Sequence, residues 1–201
     1  MPNIIDKVTV FITRSAADGH HLLLFEHPAT GIQIPAGTVE AEETGLTSLT
    51  LHRILGAATE ILPAKQRIIS QATPVYARPD MMSFDWARLR RGITVEVERQ
   101  VDGFSQVTYI EYDRLDDPQF ITYQITGWVP TERLAEKRVR HFFHFEYKGV
   151  QIEPWWIEAD NHRFRLFCAP LTELPTIVKP QDKWVDVLLQ YRKAASYPGS
   201  A

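Results

Sequence analysis

The amino-acid sequence predicts an α/β fold with a mixed β-sheet and an additional β-meander. Three features predict it. Segments rich in β-branched and aromatic residues recur between residues 8 and 168, as is typical of strands. Two segments, 45–60 and 181–195, space their apolar residues three or four apart, as one face of a helix requires. Three strand-like segments follow one another between residues 93 and 126, which predicts the meander.

The length and composition indicate a single domain over residues 1–201, with segment 92–127 as a β-rich insertion or sheet extension. The formal charge is −3, from 22 lysines and arginines against 25 aspartates and glutamates. Nucleic-acid-binding proteins usually carry a marked basic excess, so we expect no nucleic-acid partner. The N-terminal residues lack a secretory signal, and no apolar run approaches the roughly 18 residues of a membrane span, so we expect a cytoplasmic protein without a membrane partner.

The N-terminal quarter predicts two strands, a loop and then a helix. Residues 8–13 are rich in β-branched residues, residues 22–27 form a continuous apolar run, and residues 32–34 lead into a loop. Thr44 is a suitable N-cap for a helix from Gly45 to Glu60. The apolar stripe of this helix would consist of Leu51, Ile54, Leu55 and Ala58.

The segment between residues 67 and 91 predicts a strand interrupted by Pro74 and then a short helix. In that helix Arg88, Arg90 and Arg91 would cluster near the C-terminal end. Three guanidinium groups could hold a diphosphate through forked hydrogen bonds. Alternatively, they are cations that a helix C-terminus favours.

The predicted meander consists of residues 93–99, 107–112 and 120–126. Apolar and polar residues alternate in the first of these strands, and Asp102-Gly103 is a hairpin turn signal between the first and the second. The exposed surface of such a meander could form a homodimer interface.

The C-terminal part predicts a short helix at 131–138, strands at 139–147, 155–158 and 163–168, and a last helix from Gln181 to Ala195. His141 and His144 are three residues apart, so a strand would point them to opposite faces and they would not share a metal ion. Phe142, His144 and Glu146 would share one face. The single cysteine, Cys168, excludes an intramolecular disulfide, and its strand predicts a buried thiol.

The loop that follows residues 32–34 carries the clearest chemical signal. Gly37 can adopt a positive φ that a Cβ would penalise. Glu40, Glu42 and Glu43 follow within a few residues. Clustered carboxylates suit a hydrated divalent cation and the phosphates that it carries. Alternatively, these acids are the charges that a helix N-terminus favours on a solvated turn.

The segment Pro35-Ala36-Gly37-Thr38-Val39-Glu40 resembles the opening of the Nudix box, the signature of the nucleoside-diphosphate-X hydrolases. The family pattern is Gly, five residues, Glu, seven residues, then Arg-Glu-apolar-x-Glu-Glu-x-Gly-apolar. Gly37 and Glu43 match its first half. In this register the second half falls on residues that are not acidic, among them Leu51, His52, Leu55 and Gly56.

The resemblance implies a Nudix-like α/β/α sandwich and a site for Mg²⁺ or Mn²⁺. The metal would be bound weakly by Glu40, Glu42, Glu43 and His52, the last replacing a ligand glutamate. Candidate substrate-binding residues are Gly37, Arg88, Arg90 and Arg91, and the sequence selects no catalytic residue.

The expected function is binding of a nucleoside-diphosphate-linked small molecule. Hydrolysis would be impaired because the Glu-Glu pair in the second half of the box is missing. The alternative is an active, divergent metal-dependent hydrolase that takes its ligands from elsewhere in the chain. A third hypothesis is an interaction module that uses the meander.

Overall fold

The computed structural model describes residues 4–28, 30–38, 49–113, 118–148, 154–159 and 162–195. Within these residues the chain forms fifteen strands, one 3₁₀ turn at Thr131–Arg133 and one α-helix, α1, at Gln181–Ala195. The strands are β1 Ile4–Ala16, β2 Gly19–His27, β3 Gly31–Gln33, β4 Ala36–Thr38, β5 Leu49–Ile61, β6 Gln66–Ile69, β7 Thr73–Tyr76, β8 Asp85–Leu89, β9 Thr94–Val101, β10 Phe104–Tyr112, β11 Ile121–Pro130, β12 Leu134–Ala135, β13 Lys137–Tyr147, β14 Trp155–Ala159 and β15 His162–Pro170.

The strands form two sheets. The first is a mixed sheet of eight strands in the order β14-β15-β2-β1-β13-β5, with β3 paired to β2 and β4 paired to β1. The second is a curled antiparallel sheet of seven strands in the order β12-β6-β9-β10-β11-β7-β8. Helix and sheet are both present, as the α/β class requires, but strands account for most of the described residues.

The chain separates into two compact units. The first unit comprises Met1–Lys7 and Ala58–Arg140, and the second comprises Val8–Ala57 and His141–Ala201. Strands β1, β5 and β13 each contribute residues to both units.

The second unit has a core in which α1 covers the apolar side chains of the strands. Val185 and Leu188 of α1 are buried in one cluster with Phe11, Leu24 and Phe142. The start of the helix is held to the chain near β3, because the Ile34 amide donates a 2.6 Å hydrogen bond to Gln181 Oε1. Asp182 in the first turn and Arg192 and Lys193 in the last turn complement the helix dipole. The predicted helix from Gln181 to Ala195 is therefore confirmed, although Trp184 and Tyr191 are only half-buried.

The first unit contains the predicted meander, whose strands β9, β10 and β11 are neighbours in the second sheet. Asp102 and Gly103 connect β9 to β10 with φ of 49° and 80°, which is the conformation that a tight hairpin turn demands. The core of this unit includes Val95, Val107 and Ile125, one from each strand of the meander.

Three predicted helices are wrong. Residues 49–60 of the first lie in strand β5, while residues 45–48 lie outside the described residues. The segment predicted as a helix from 79 to 91 contains strand β8, in which Ala87 and Leu89 turn towards the core and Arg88 turns to solvent. The segment 131–138 forms only the 3₁₀ turn before β12 and β13 begin. In each case backbone pairing within a sheet overrides a helical spacing of apolar residues.

Three smaller predictions also need correction. Pro74 lies within β7 and does not interrupt a longer strand. Cys168 is half-buried, and the neighbouring Ala169 takes the buried position. Gly37 lies in β4 without a positive φ, and a Cβ at this position would meet open space. Among the described residues no helix is long and apolar enough to cross a membrane.

Candidate functional site

The second unit contains a pocket that gathers histidines from three strands of the first sheet. His20 is the second residue of β2, His52 lies on β5 and His144 lies on β13. Helix α1 completes the pocket with Tyr191 and Arg192. The cavity has a volume of about 260 Å³, and its further lining residues are Glu146 and Ala195.

His144 is the most deeply buried of these side chains, with 1% of its surface exposed. Strand alternation places it on the same face as the buried Phe142, as the sequence predicts, because β13 carries both at positions two apart. Its Nε2 lies 2.7 Å from Thr13 Oγ1 on the neighbouring strand β1. Its Nδ1 is buried and has no hydrogen-bond partner among the described residues.

The surroundings of His144 keep its imidazole neutral. Burial lowers its pKa from 6.5 to about 4, because the charged form would lose its hydration. Electrostatic interactions with His52 and Arg192 act in the same direction, and Glu146 opposes them. A neutral imidazole has one donor and one acceptor nitrogen, so Nδ1 can either donate to a ligand or accept from it.

His52 and Glu146 form the exposed side of the pocket. His52 Nδ1 lies 3.9 Å from Glu146 Oε1, and the His52 ring contacts the His144 ring with centroids 4.9 Å apart. An imidazole beside a carboxylate is the arrangement that general acid–base chemistry uses. The pKa of His20 is lowered by burial and then by the charge of Arg192.

Tyr191 is fixed from two sides. Its ring centroid lies 6.3 Å from that of His144, and the Arg53 guanidinium lies over the ring at 5.0 Å from the centroid. Arg53 Nη1 also donates a 3.2 Å hydrogen bond to the Tyr191 hydroxyl. These contacts tie the last turn of α1 to strands β5 and β13.

A second cavity lies beside the first and shares Glu146 with it. Its volume is about 590 Å³, and its lining comes from the end of β1 and the end of β13. Arg14 and Lys148 bring two positive charges to this cavity, against the single negative charge of Glu146. The two cavities together therefore carry a positive excess, once Arg192 is counted.

The structure places the residues predicted for the site as follows. His52 lies in the histidine pocket, and Gly37 lies on β4, exposed, in the same unit. Glu40, Glu42 and Glu43 lie outside the described residues. The three predicted arginines belong to the first unit: Arg88 and Arg90 are exposed, and Arg91 donates a 3.2 Å hydrogen bond to the Ser70 carbonyl. Among the described residues no three His, Cys, Asp or Glu side chains come together in a way that could hold a metal ion.

Sequence reasoning missed His20, His144 and Arg192 as site residues. No local motif connects them, because they lie on separate elements that only the fold brings together. The sequence feature that could have pointed to the site is that His144 and Glu146 lie on the same face of one predicted strand. Comparison with family models, curated proteins and solved structures gave no match to the chain.

Proposed function

We propose that this protein is a Nudix-like α/β/α protein that binds a nucleoside-diphosphate-linked small molecule, with little hydrolysis of it. The observation that carries the proposal is the pocket of three histidines and Arg192, which opens beside a second cavity containing Arg14 and Lys148. A concave site with a few convergent polar groups and a histidine of strongly lowered pKa is the usual form of a ligand site.

The charges favour an anionic ligand. Arg14, Lys148 and Arg192 can each contact a phosphate oxygen, and arginine does so with two parallel hydrogen bonds. Glu146 lies where the two cavities meet and can accept a hydrogen bond from a ribose hydroxyl. The buried Nδ1 of His144 supplies a further polar contact that needs no change of protonation at neutral pH.

Impaired hydrolysis is proposed on the sequence of the Nudix-like segment. In the register set by Gly37 and Glu43, the positions of the paired glutamates fall on Leu55 and Gly56. Both lie on β5, and Gly56 has a φ of 124°, a conformation that a glutamate would adopt only with strain. Weak binding of Mg²⁺ or Mn²⁺ by Glu40, Glu42 and Glu43 stays part of the proposal, because the resemblance implies it.

One observation favours an active enzyme as the second candidate. His52 and Glu146, 3.9 Å apart at the pocket entrance, could activate a water molecule as a general base. This candidate is a divergent hydrolase of nucleoside-diphosphate derivatives.

Calorimetric titration with ADP-ribose, with and without Mg²⁺, tests the binding proposal. We expect Arg192→Gln to weaken binding about tenfold or more, since a charged hydrogen bond contributes roughly 1.5–3 kcal/mol. Lys183→Gln is the matched control, because Lys183 is an exposed cation on the same helix. Equal affinities of the two variants, or no binding at millimolar ADP-ribose, would contradict the proposal.

A turnover assay separates the two candidates. Release of phosphate-containing product from ADP-ribose at roughly 1 per second or faster would establish the enzyme. In that case His52→Asn should lower kcat while Lys183→Gln leaves it unchanged.

A further inference from the structure

The first sheet ends in an aromatic edge strand that the proposed function does not use. Strand β14 is the outermost strand of this sheet, and among the described residues no strand pairs with its outer edge. Trp156 and Ile157 on this strand are 50% and 44% exposed, although both side chains are large and apolar. A sheet edge that combines backbone donors and acceptors with exposed apolar side chains is a template for a further strand.

The pairing of β14 with β15 places charges of both signs on one face of this edge. Trp156 lies opposite Arg165 and Glu158 lies opposite Arg163, with no shift of register between them. Residues directly opposite each other on antiparallel strands share a face. The Arg163 guanidinium also lies over the Trp156 ring, 4.7 Å from its centroid. This face therefore carries a ring with a cation over it, and a carboxylate two residues further along the strand.

The opposite face of the same strand is apolar. Trp155 lies opposite Leu166, and Ile157 lies opposite Phe164. Phe164 in turn packs edge to face against Phe25 of β2, with the ring centroids 5.5 Å apart. Ile157 is thus the exposed end of an apolar row that continues into the sheet, and covering it would remove apolar surface from water.

We propose that β14 is a homodimer interface at which two copies of the chain pair their β14 strands antiparallel. A two-fold axis at Ile157 makes all 5 residues of the strand pair, with Ile157 opposite its own copy. An axis at Trp156 would leave the end of the strand unpaired, and an axis at Glu158 would place two like charges opposite each other. The interface extends the first sheet across the axis, and it differs from the meander surface, whose core residues lie in the first unit.

The charges at this interface select a second copy as the partner. In the proposed register Glu158 lies opposite Trp156 of the partner subunit, whose ring is covered by the partner subunit's Arg163. Glu158 can pair with this cation across the interface, and the two-fold axis repeats the pair. One patch therefore supplies both the carboxylate and the cation, as a self-complementary interface requires. On the other face the two Ile157 side chains meet and lose their exposed apolar surface.

Sedimentation equilibrium of the full chain tests the proposal. Such a short pairing makes a small interface, so we expect a dimer at about 0.5 mM that dissociates on dilution, as weak complexes do. Ile157→Lys should abolish the dimer, since two ammonium groups would face each other across the axis. Ile54→Lys is the matched control and should leave the dimer intact, because Ile54 is 63% exposed on β5, at the other end of the same sheet.

Oxidative cross-linking tests the register and does not depend on a charged substitution. Residues directly opposite each other have Cβ atoms about 4.5–5.5 Å apart, close to the separation that a disulfide bridges. We expect Ile157→Cys to form a disulfide-linked dimer on oxidation. Trp155→Cys would lie opposite Ala159 of the partner subunit and should form none. Cys168 is present in both variants, so the parent protein gives the background.

A charge exchange tests the ion pair across the interface. We expect Glu158→Arg to weaken dimerisation about tenfold, because the axis repeats the loss of an exposed ion pair. Combining it with Arg163→Glu should restore the dimer, since the two charges then exchange places. Arg192→Gln should leave the dimer unchanged, because β14 lines neither cavity of the proposed ligand site.

A single-chain mass at about 0.5 mM, where even a weak interface should form, would overturn the proposal. Equal dissociation by Ile157→Lys and Ile54→Lys would also overturn it, since the effect would then not be specific to β14. The same holds for equal cross-linking by the two cysteine variants, and for a double charge variant that dimerises no better than Glu158→Arg.

Discussion

At the scale of single residues, the fold keeps His144 neutral at a mildly acidic pH at which a solvent-exposed histidine would be protonated. Its side chain is almost completely buried, and its Nε2 forms a hydrogen bond with the hydroxyl of Thr13. Neither group carries a charge that would compensate an imidazolium ion. Protonation in the folded state is therefore costly, and the histidine links stability to pH.

We expect the free energy of unfolding to fall as the pH decreases from 7.5 to 5. The unfolded chain takes up a proton at His144 near pH 6.5, while the folded chain takes it up only near pH 4. The contribution of the neutral His144 to stability is thus fully present above pH 6.5 and is lost as the pH falls towards 4. The loss at pH 5 is roughly 2 kcal/mol, from 1.36 kcal/mol for each pH unit of difference in pKa. Urea unfolding at both pH values measures it.

The contribution of His144 is isolated by two asparagine variants. His144→Asn should remove most of this pH dependence, whereas His141→Asn, on the opposite face of the same strand, should retain it. A pH dependence that is the same in both variants would show that other groups cause it.

The residues of the histidine pocket also show what a sequence can reveal of a site. His52 was predicted because it fell in a motif register, and it does line the pocket. His20, His144 and Arg192 have no such register, and their convergence depends on the pairing of β1 with β13 and on the docking of α1. Pairing between strands distant in sequence leaves no local pattern to read.

At the scale of elements, β5 shows why the helix predicted from Gly45 to Glu60 is wrong. Leu51, Ile54 and Leu55 are spaced as on a helix, yet Leu51 and Ile54 are exposed on the strand, by 49% and 63%. A short apolar run is compatible with the period of a helix and with that of a strand. Pairing with the neighbouring strand β13 makes this segment a strand.

The close approach of β11 to β7 allows a test of the packing in the second sheet. A Cβ on Gly127 would lie 2.5 Å from Val75 Cγ1 and 3.0 Å from the Tyr76 carbonyl oxygen, both too short for van der Waals contact. We therefore expect Gly127→Ala to lower the free energy of unfolding by about 1–3 kcal/mol, the usual cost of overpacking a core. Gly37→Ala is the control, because its Cβ meets nothing within 4 Å and its φ is not positive.

Equilibrium unfolding in urea measures both glycine variants. Gly37→Ala should remain within about 0.5 kcal/mol of the parent protein, as surface substitutions usually do. A Gly127→Ala protein of unchanged stability would mean that β7 and β11 are farther apart than described.

At the scale of the whole molecule, the buried residues divide in the same way as the chain. The cluster around Phe11 and Leu188 lies entirely in the second unit, and the clusters around Val107 and Ile5 lie entirely in the first. Local patterns predict strands in both units, although not β5 or β8, and the turn residues predict the Asp102-Gly103 hairpin. It could not predict this division, because each unit is assembled from two separate stretches of chain.

We expect the two units to respond separately to mutations in their own cores. Leu188 is fully buried, and Leu188→Ala should cost about 2–5 kcal/mol through lost burial and the cavity it leaves. Amide hydrogen exchange should then accelerate at Leu22 and Leu24 of the second unit while Val107 and Ile125 of the first keep their protection, since separate cooperative regions open with separate free energies. Gly127→Ala should give the reverse pattern. If either variant accelerates exchange equally in all four amides, the two units unfold as one, and the division of the cores has no counterpart in stability.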